Sequence, residues 1–334
     1  MAETVAAPPA GPRRVGRAGV GELVQTYGAL AGLVLLLVFN VAFTPDFLSL
    51  DVLRVNLTQV ATIVIVATGM TFVIATGGID LSVGSLMAIA GALAPLIFLR
   101  DVVPFNVPVL GTALAFVLPV LLAAAFGMFN GALITRFGIQ PIIATLVLFI
   151  AGRGFAQVLA GGKLQAFRDD EFQFIGRGEV FGIPFQAVLM LIVVVVAAWA
   201  MRATSFGRYV LAVGGNEAAA RLAGVPVNRV KLAVYTLSGA LAGLAGLIFI
   251  AINSSSDTSR VGLDMELAAI AAVAVGGTPL TGGRANVVGT FLGALILQLL
   301  TYTLLRHNVA REVALVVQAA IIVAAVLFQR GRLS

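Results

Sequence analysis

The sequence has 334 residues, 60% of them hydrophobic and only 11% charged, with a formal net charge of +6. Soluble domains carry roughly a quarter charged residues, so a chain with mean hydropathy +1.06 argues against a soluble enzyme or a disordered protein and leaves an integral membrane protein. It has no cysteine and a single histidine, His307, which excludes disulfides, cysteine nucleophiles and thiolate or histidine metal clusters; no catalytic and no metal site is expected.

In chain order, a tail over 1–22 carries Arg13, Arg14 and Arg17. The apolar run after it exceeds the about 7–15 residues of a signal-peptide core, so an uncleaved first helix is expected. A membrane-spanning helix needs about 20 mainly apolar residues. Ten candidate spans follow: 24–43, 57–76, 81–99, 105–126, 137–152, 180–201, 232–252, 267–283, 285–305 and 313–328. Runs such as Leu189 to Ala198 lack the alternation of a barrel strand. The expected fold is therefore all-α: a polytopic membrane protein of about ten transmembrane helices over 23–329, with a tail over 330–334. Gly239, Gly243 and Gly246 recur inside the seventh span at a spacing that suits tight helix packing, with a hinge as the other reading.

Charge suggests the orientation. With the N-terminus inside, the inner segments hold Arg13, Arg14, Arg17, Arg136, Arg202, Arg208, Arg221, Arg229, Lys231, Arg284, Arg330 and Arg332, over half of the 21 basic residues, as the positive-inside rule asks. Both termini are then cytoplasmic. The loop placed outside at 153–179 mixes Asp169, Asp170, Glu171 and Glu179 with Arg153, Lys163, Arg168 and Arg177. The basic residues are spread over loops without a binding module, so they suit an anionic inner leaflet of the lipid bilayer and not nucleic acid.

Within the inner loop 202–231, the run from Gly214 and Gly215 through Asn216, Glu217, Arg221, Leu222 and Gly224 to Pro226 reads as a short self-capped helix. Asn216 suits the N-cap. Glu217 and Arg221 suit the two ends of the helix dipole and stand at i and i+4, acid first. Gly224 suits the C′ position, and Pro226 stops continuation. A helix this short is unstable alone in water. It needs a surface: its own membrane domain, as a plain connector, or a groove on a cytoplasmic partner.

Gly77-Gly78-x-x-Leu81-Ser82-x-Gly84 recurs as Gly276-Gly277-x-x-Leu280-Thr281-x-Gly283. Both copies break one helix and start another, and both fall on the inner side. A local likeness explains them at least as well as a duplication. Asp80 has two readings. The favoured one is an N-cap for a helix from Leu81; the other is a functional ionisable group at a span.

The stretch Met70 to Ser85 resembles the signature of the ribose/xylose-type permeases of bacterial ABC sugar importers. So do Asn130-Gly131, Ile139-Gln140-Pro141 with Ala144-Thr145-Leu146, Arg153-Gly154, Ala212 to Glu217 with Gly224, and Ala271-Ala272-Val273 with Gly276-Gly277-Thr278 and Gly282-Gly283. Within that family, Ile139 to Gln157 and the inner loops look closest to the galactofuranose type. The resemblance implies the ABC-importer permease fold in a bacterial cytoplasmic (inner) membrane, moving a pentose, hexose or furanose sugar inward. It implies a second permease subunit, identical or related, a periplasmic or surface sugar-binding protein, and a cytoplasmic ABC ATPase that uses ATP and Mg. It also implies that the Gly214–Gly224 loop is the ATPase-coupling helix.

The residues agree with that division of labour. The only lysines, Lys163 and Lys231, do not sit in a G-x-x-x-x-G-K-[ST] phosphate loop. The chain is therefore expected to hold no cofactor and to be no enzyme, taking its energy from a partner or a gradient. A sugar path needs amides, hydroxyls and aromatic faces, and Gln59, Asn130 and Gln298 are the pore-facing candidates; the alternative for each is an interhelical hydrogen bond. Full charges are almost absent from the middle of the spans, which disfavours a gradient-driven secondary transporter. An intramembrane enzyme is the third and weakest class.

Overall fold

A computed structural model describes residues 20–98 and 108–330. The expected tails, with Arg13, Arg14, Arg17 and Arg332, fall mostly outside the described residues. The helices are α1 (Val20–Phe43), α2 (Leu50–Ala75), α3 (Val83–Phe98), α4 (Pro108–Arg136), α5 (Pro141–Leu159), α6 (Asp170–Arg177), α7 (Phe185–Ala203), α8 (Ser205–Gly215), α9 (Glu217–Leu222), α10 (Val227–Asn253), α11 (Met265–Val275), α12 (Val287–Arg306) and α13 (Arg311–Arg330). Two antiparallel pairs of two-residue strands complete the described chain: Gln165–Ala166 with Ser255–Ser256, and Glu179–Val180 with Ile183–Pro184.

Each of the ten apolar runs overlaps one helix, and α6, α8 and α9 are additional. Among the described residues, six helices are long and apolar enough to cross a membrane: α2, α4 from Gly111, α5, α7, α10 and α12. Three boundaries differ from expectation. The run 267–283 is helical only to Val275, and α11 at about 16 Å is too short for a hydrocarbon core of about 30 Å. The fifth run continues to Leu159, so Arg153 stands inside a helix and not in an outer loop. The 202–231 loop folds into two helices, α8 and α9, where one was expected.

α10 lies along α4 and against α2 and α3; α2 also meets α7, α11 and α12. Small residues set these approaches. A Cβ on Gly239 would overlap Ala123 O and stand 3.1 Å from Gly127 Cα; one on Gly243 would come 2.8 Å from Ala123 Cβ; one on Gly246 would come 2.5 Å from Met87 O. All three glycines serve packing, as expected where helices associate in lipid by close contact. Leu121, Ile150, Val195 and Trp199 on the outer faces of α4, α5 and α7 are more than half exposed, the apolar surface that a bilayer requires.

The two ends of α10 fix the two ends of the bundle. Gly176 of α6 packs on Ala251 and Ile252 near its C-terminus. Glu217 of α9 is bonded to Lys231 near its N-terminus.

Candidate functional site

The α8–α9 segment is closed by its own caps. Thr204 Oγ1 accepts from Gly207 N at 3.3 Å to open α8, and Asn216 Oδ1 accepts from Ala219 N at 2.9 Å to open α9. At the far end Gly224 takes φ +81°. Its N–H donates to Arg221 O (3.1 Å) and that of Val225 to Ala220 O (3.0 Å), the paired closure of a Schellman end. Glu217 meets Arg221 at 3.2 Å and Lys231 of α10 at 2.6 Å. The hydrogen bond from Lys231 holds the Glu217 carboxyl below its ordinary range, with the charge of Lys231 and Arg221 adding and partial burial opposing. The i,i+4 pair was legible in the sequence, whereas the tie to α10 was not. Ala220 is buried on the bundle while Leu222 is 91% exposed, so α9 is anchored on one face and presents an apolar side chain on the other.

Beneath this segment three chain ends meet backbone to backbone. A Cβ on Gly214 would overlap Ala75 O and stand 2.6 Å from Gly283 N, and those two atoms hydrogen bond to each other at 3.0 Å. A Cβ on Gly282 would stand 2.8 Å from Gly77 N, and one on Gly283 3.0 Å from Gly215 Cα. The end of α2, the end of α8 and the α11–α12 turn thus form one glycine junction. Gly77 and Gly277 take φ +81° and +85° and close their helices alike. Gly78 N donates to Val73 O (3.1 Å) and Gly77 N to Ile74 O (2.9 Å); Thr278 N donates to Val273 O (3.2 Å) and Gly277 N to Ala274 O (3.0 Å). The equivalent residues are Gly77 and Gly277, one position out of the register of the sequence likeness, which pairs Gly77 with Gly276. Shared cap chemistry accounts for the likeness. Gly276 is the C-cap of α11 and abuts Gly289 of α12. Gly84 is not a break: it lies in α3 against Gly262 O and Glu266.

Asp80 does not cap a helix from Leu81, because α3 begins at Val83. Its Oδ1 accepts from Ser82 N (3.0 Å) and Ser82 Oγ (2.6 Å), and its Oδ2 from Ser238 Oγ of α10 (2.8 Å). This is an Asx-type turn: it uses the Ser82 N–H and so delays the helix. Ser82 Oγ in turn accepts from Asn130 Nδ2 of α4 at 2.9 Å, and Thr145 Oγ1 of α5 accepts from Leu81 N at 3.2 Å. Asp80 is fully buried. Ser238 lies about 16 Å along α10 from Val227, so this knot sits well inside the bundle and not at an interface.

Two charged residues inside helices went unrecognised in the sequence. Arg153 Nη1 of α5 donates to Thr258 O (2.9 Å) and Val261 O (2.5 Å). Glu266, in the first turn of α11, is 5% exposed, and its Oε2 has no hydrogen-bond partner among the described residues. Between α10 and α11 the chain runs inward without helix, with the Gly262 backbone against that of Gly84. Such backbone survives at membrane depth only when protein satisfies it, and Arg153 supplies two of the required donors. Charge is therefore present inside the helical layer, contrary to expectation. The fifth expected span ends at 152, one residue before Arg153, and the eighth starts at 267, two residues after the start of α11, so neither charge falls inside an expected span.

Over residues 53–326 the chain matches the family described as branched-chain amino acid transport system, permease component. The chain belongs to this permease family. Relatives extend over nearly its whole length. The ribose import permease protein RbsC of Haemophilus influenzae is 38% identical over 92% of this permease and 94% of its own length. That of Escherichia coli strain K12 is 40% identical over 91% and 93%. The galactofuranose transporter permease protein YtfT of Escherichia coli is 36% identical over 83% and 79%. Identities this close do not separate a galactofuranose type from a ribose type. No solved structure matches the permease.

In this multi-pass membrane permease, the three pathway candidates are placed as follows. Gln298 Nε2 of α12 donates to Gln59 Oε1 of α2 at 2.6 Å; Gln298 is nearly buried and Gln59 is exposed. Asn130 is fully buried, with its amide committed to Ser82 in the Asp80 knot. Other polar residues of the spans pair in the same way: Asn40 Nδ2 with Thr303 Oγ1 at 2.7 Å, Thr71 with Thr290 at 2.9 Å, and Gln318 with Thr301. Interhelical bonding accounts for Asn130 and Gln298, leaving Gln59 as the candidate that also reaches a surface.

Proposed function

We propose that this permease moves a monosaccharide inward across the bacterial cytoplasmic membrane, driven by ATP hydrolysis on a separate ATPase that docks on α8–α9. The substrate class rests on relatives named for ribose and galactofuranose, at 36 to 40% identity. The ATPase drive rests on one observation: α9 is held by caps at both ends and by Lys231, yet presents Leu222 at 91% exposure. On this reading the chain crosses ten times, counting α1, α3, α13, and α11 together with the inward-running segment before it, with both termini cytoplasmic. Two permease subunits form the path, a periplasmic or surface binding protein delivers the sugar, and ATP and Mg bind only to the ATPase.

Co-purification tests the reading. The ATPase should copurify with the wild type and be lost from Leu222→Glu at unchanged membrane level. Full sugar uptake after deletion of the ATPase would overturn it. Asp80, Arg153 and Glu266 are the residues that favour a gradient-driven transporter, since coupling to an ion needs charge at depth. Uptake that collapses with an uncoupler at constant ATP would select that alternative.

A further inference from the structure

Between α4 and α10, at the end that carries α8 and α9, lies a groove of about 490 Å³. Ala125, Phe129 and Ala132 of α4 and Leu232 of α10 line its apolar length, and Arg136 and Arg229 stand at its mouth. The α4 residues follow helical spacing, so the groove runs along the helix. From Ala125 to Arg136 it covers about 16 Å, close to half of a hydrocarbon core of about 30 Å. Neither arginine has an ion-pair or hydrogen-bond partner among the described residues, and both are exposed.

A trough one leaflet deep, apolar along its length and doubly cationic at its mouth, complements one kind of molecule. We propose that it binds an anionic phospholipid, with the phosphate between Arg136 and Arg229 and an acyl chain along Ala132, Phe129 and Ala125. Guanidinium groups suit phosphate oxygens by geometry as well as charge, and basic pockets between membrane helices at the cytoplasmic face suit acidic headgroups. An apolar helix packed in the trough would leave both guanidinium groups without an anionic partner. The site is independent of which solute the permease carries.

The test is native mass spectrometry of the full-length purified permease, titrated with phosphatidylglycerol and with phosphatidylcholine of the same acyl chains. Wild type should retain phosphatidylglycerol about tenfold more tightly, or better, as two basic contacts predict. Arg136→Gln/Arg229→Gln should abolish that preference. Ala132→Trp should weaken retention by filling the trough while leaving the arginines in place, which covers the case of a poorly folded double variant. Arg202→Gln/Arg208→Gln, outside the groove, should retain the preference. Three results would overturn the proposal: an unchanged preference in Arg136→Gln/Arg229→Gln, an equal loss in the control pair, or loss of association between permease copies in place of lipid.

Discussion

Replacing Gly214 by alanine loads the glycine junction directly. The added methyl overlaps Ala75 O and lies 2.6 Å from Gly283 N, the acceptor and donor of a 3.0 Å bond. All the obstructing atoms are backbone of other elements, so no side chain can rotate aside. Overpacking costs about 1–3 kcal/mol, and an unmade buried backbone bond adds about 1–3 kcal/mol. Better helix propensity returns no more than about 1 kcal/mol, which leaves a net loss of roughly 1–5 kcal/mol. Gly215 is the internal control: it is the next residue of α8, and a Cβ there meets nothing within 4 Å. Heating the detergent-solubilised protein and following its monodisperse fraction by size-exclusion chromatography should place Gly214→Ala about 3 °C or more below wild type. Gly215→Ala should match wild type or exceed it. Equal melting of the two variants would refute the junction.

Asp80→Asn keeps the Oδ1 acceptor for Ser82 and should preserve membrane level and uptake, whereas Asp80→Ala strips partners from Ser82 and Ser238 and should cost about 3 kcal/mol or more; uptake lost in Asp80→Asn at normal membrane level would mark the charge itself as functional. Arg153→Met leaves two carbonyls, Thr258 O and Val261 O, without a donor, so limited proteolysis should cut the 254–264 segment faster than in wild type. Glu217 titrates below its ordinary value of 4.5 because Lys231 donates to it. Its stabilising contribution is therefore complete above about pH 4.5 and is lost as pH falls through the depressed value. With the Glu217 side chain 43% exposed, the loss should stay under about 1 kcal/mol, and thermal melts should show Glu217→Gln without this acid dependence. The chain has no native cysteine, so Arg208→Cys and Lys163→Cys can be labelled singly with an impermeant thiol reagent added outside; only Lys163→Cys should react, and the reverse would invert the topology. Lys163 serves better than Gly162, whose φ of +66° disfavours any side chain.

What could be read from the sequence was what depends on neighbours along the chain. Asn216, Glu217, Arg221 and Gly224 cap one another within α9, so their spacing carried the information. Apolar runs located every long helix for the same reason. The rest depends on partners far away in sequence. Nothing near Glu217 announces Lys231, and nothing near Asp80 announces Ser238 or, through Ser82, Asn130. Arg153 was misplaced because hydropathy penalises a charge and ends a span there, although its guanidinium is spent on carbonyls of a segment about a hundred residues later. The glycine likeness was visible, but its register was not, because the Schellman end is defined by hydrogen bonds to Val73 and Val273 and not by the order of two glycines.

The junction and the Asp80 knot are joined through one short stretch of chain. Ala75 O accepts from Gly283 N beside Gly214. From Ala75 the chain turns at Gly77 and, by Asp80, is bonded to α10; by Ser82, it is bonded to α4. Contacts made by backbone atoms have no rotamers, so a displacement of α8 at Gly214 cannot be absorbed locally as a side chain would absorb it. It must move the Gly77–Ser82 turn, the α11–α12 turn, or both. On the proposed function, work applied at α9 therefore enters the bundle at its centre, where α2, α3, α4 and α10 meet, and not along its lipid-facing helices. Two discrete arrangements of that turn would be the physical content of such coupling. Gly214→Ala should then lower uptake by more than it lowers membrane level, without stopping ATPase binding. Uptake per folded permease equal to that of wild type would sever the connection.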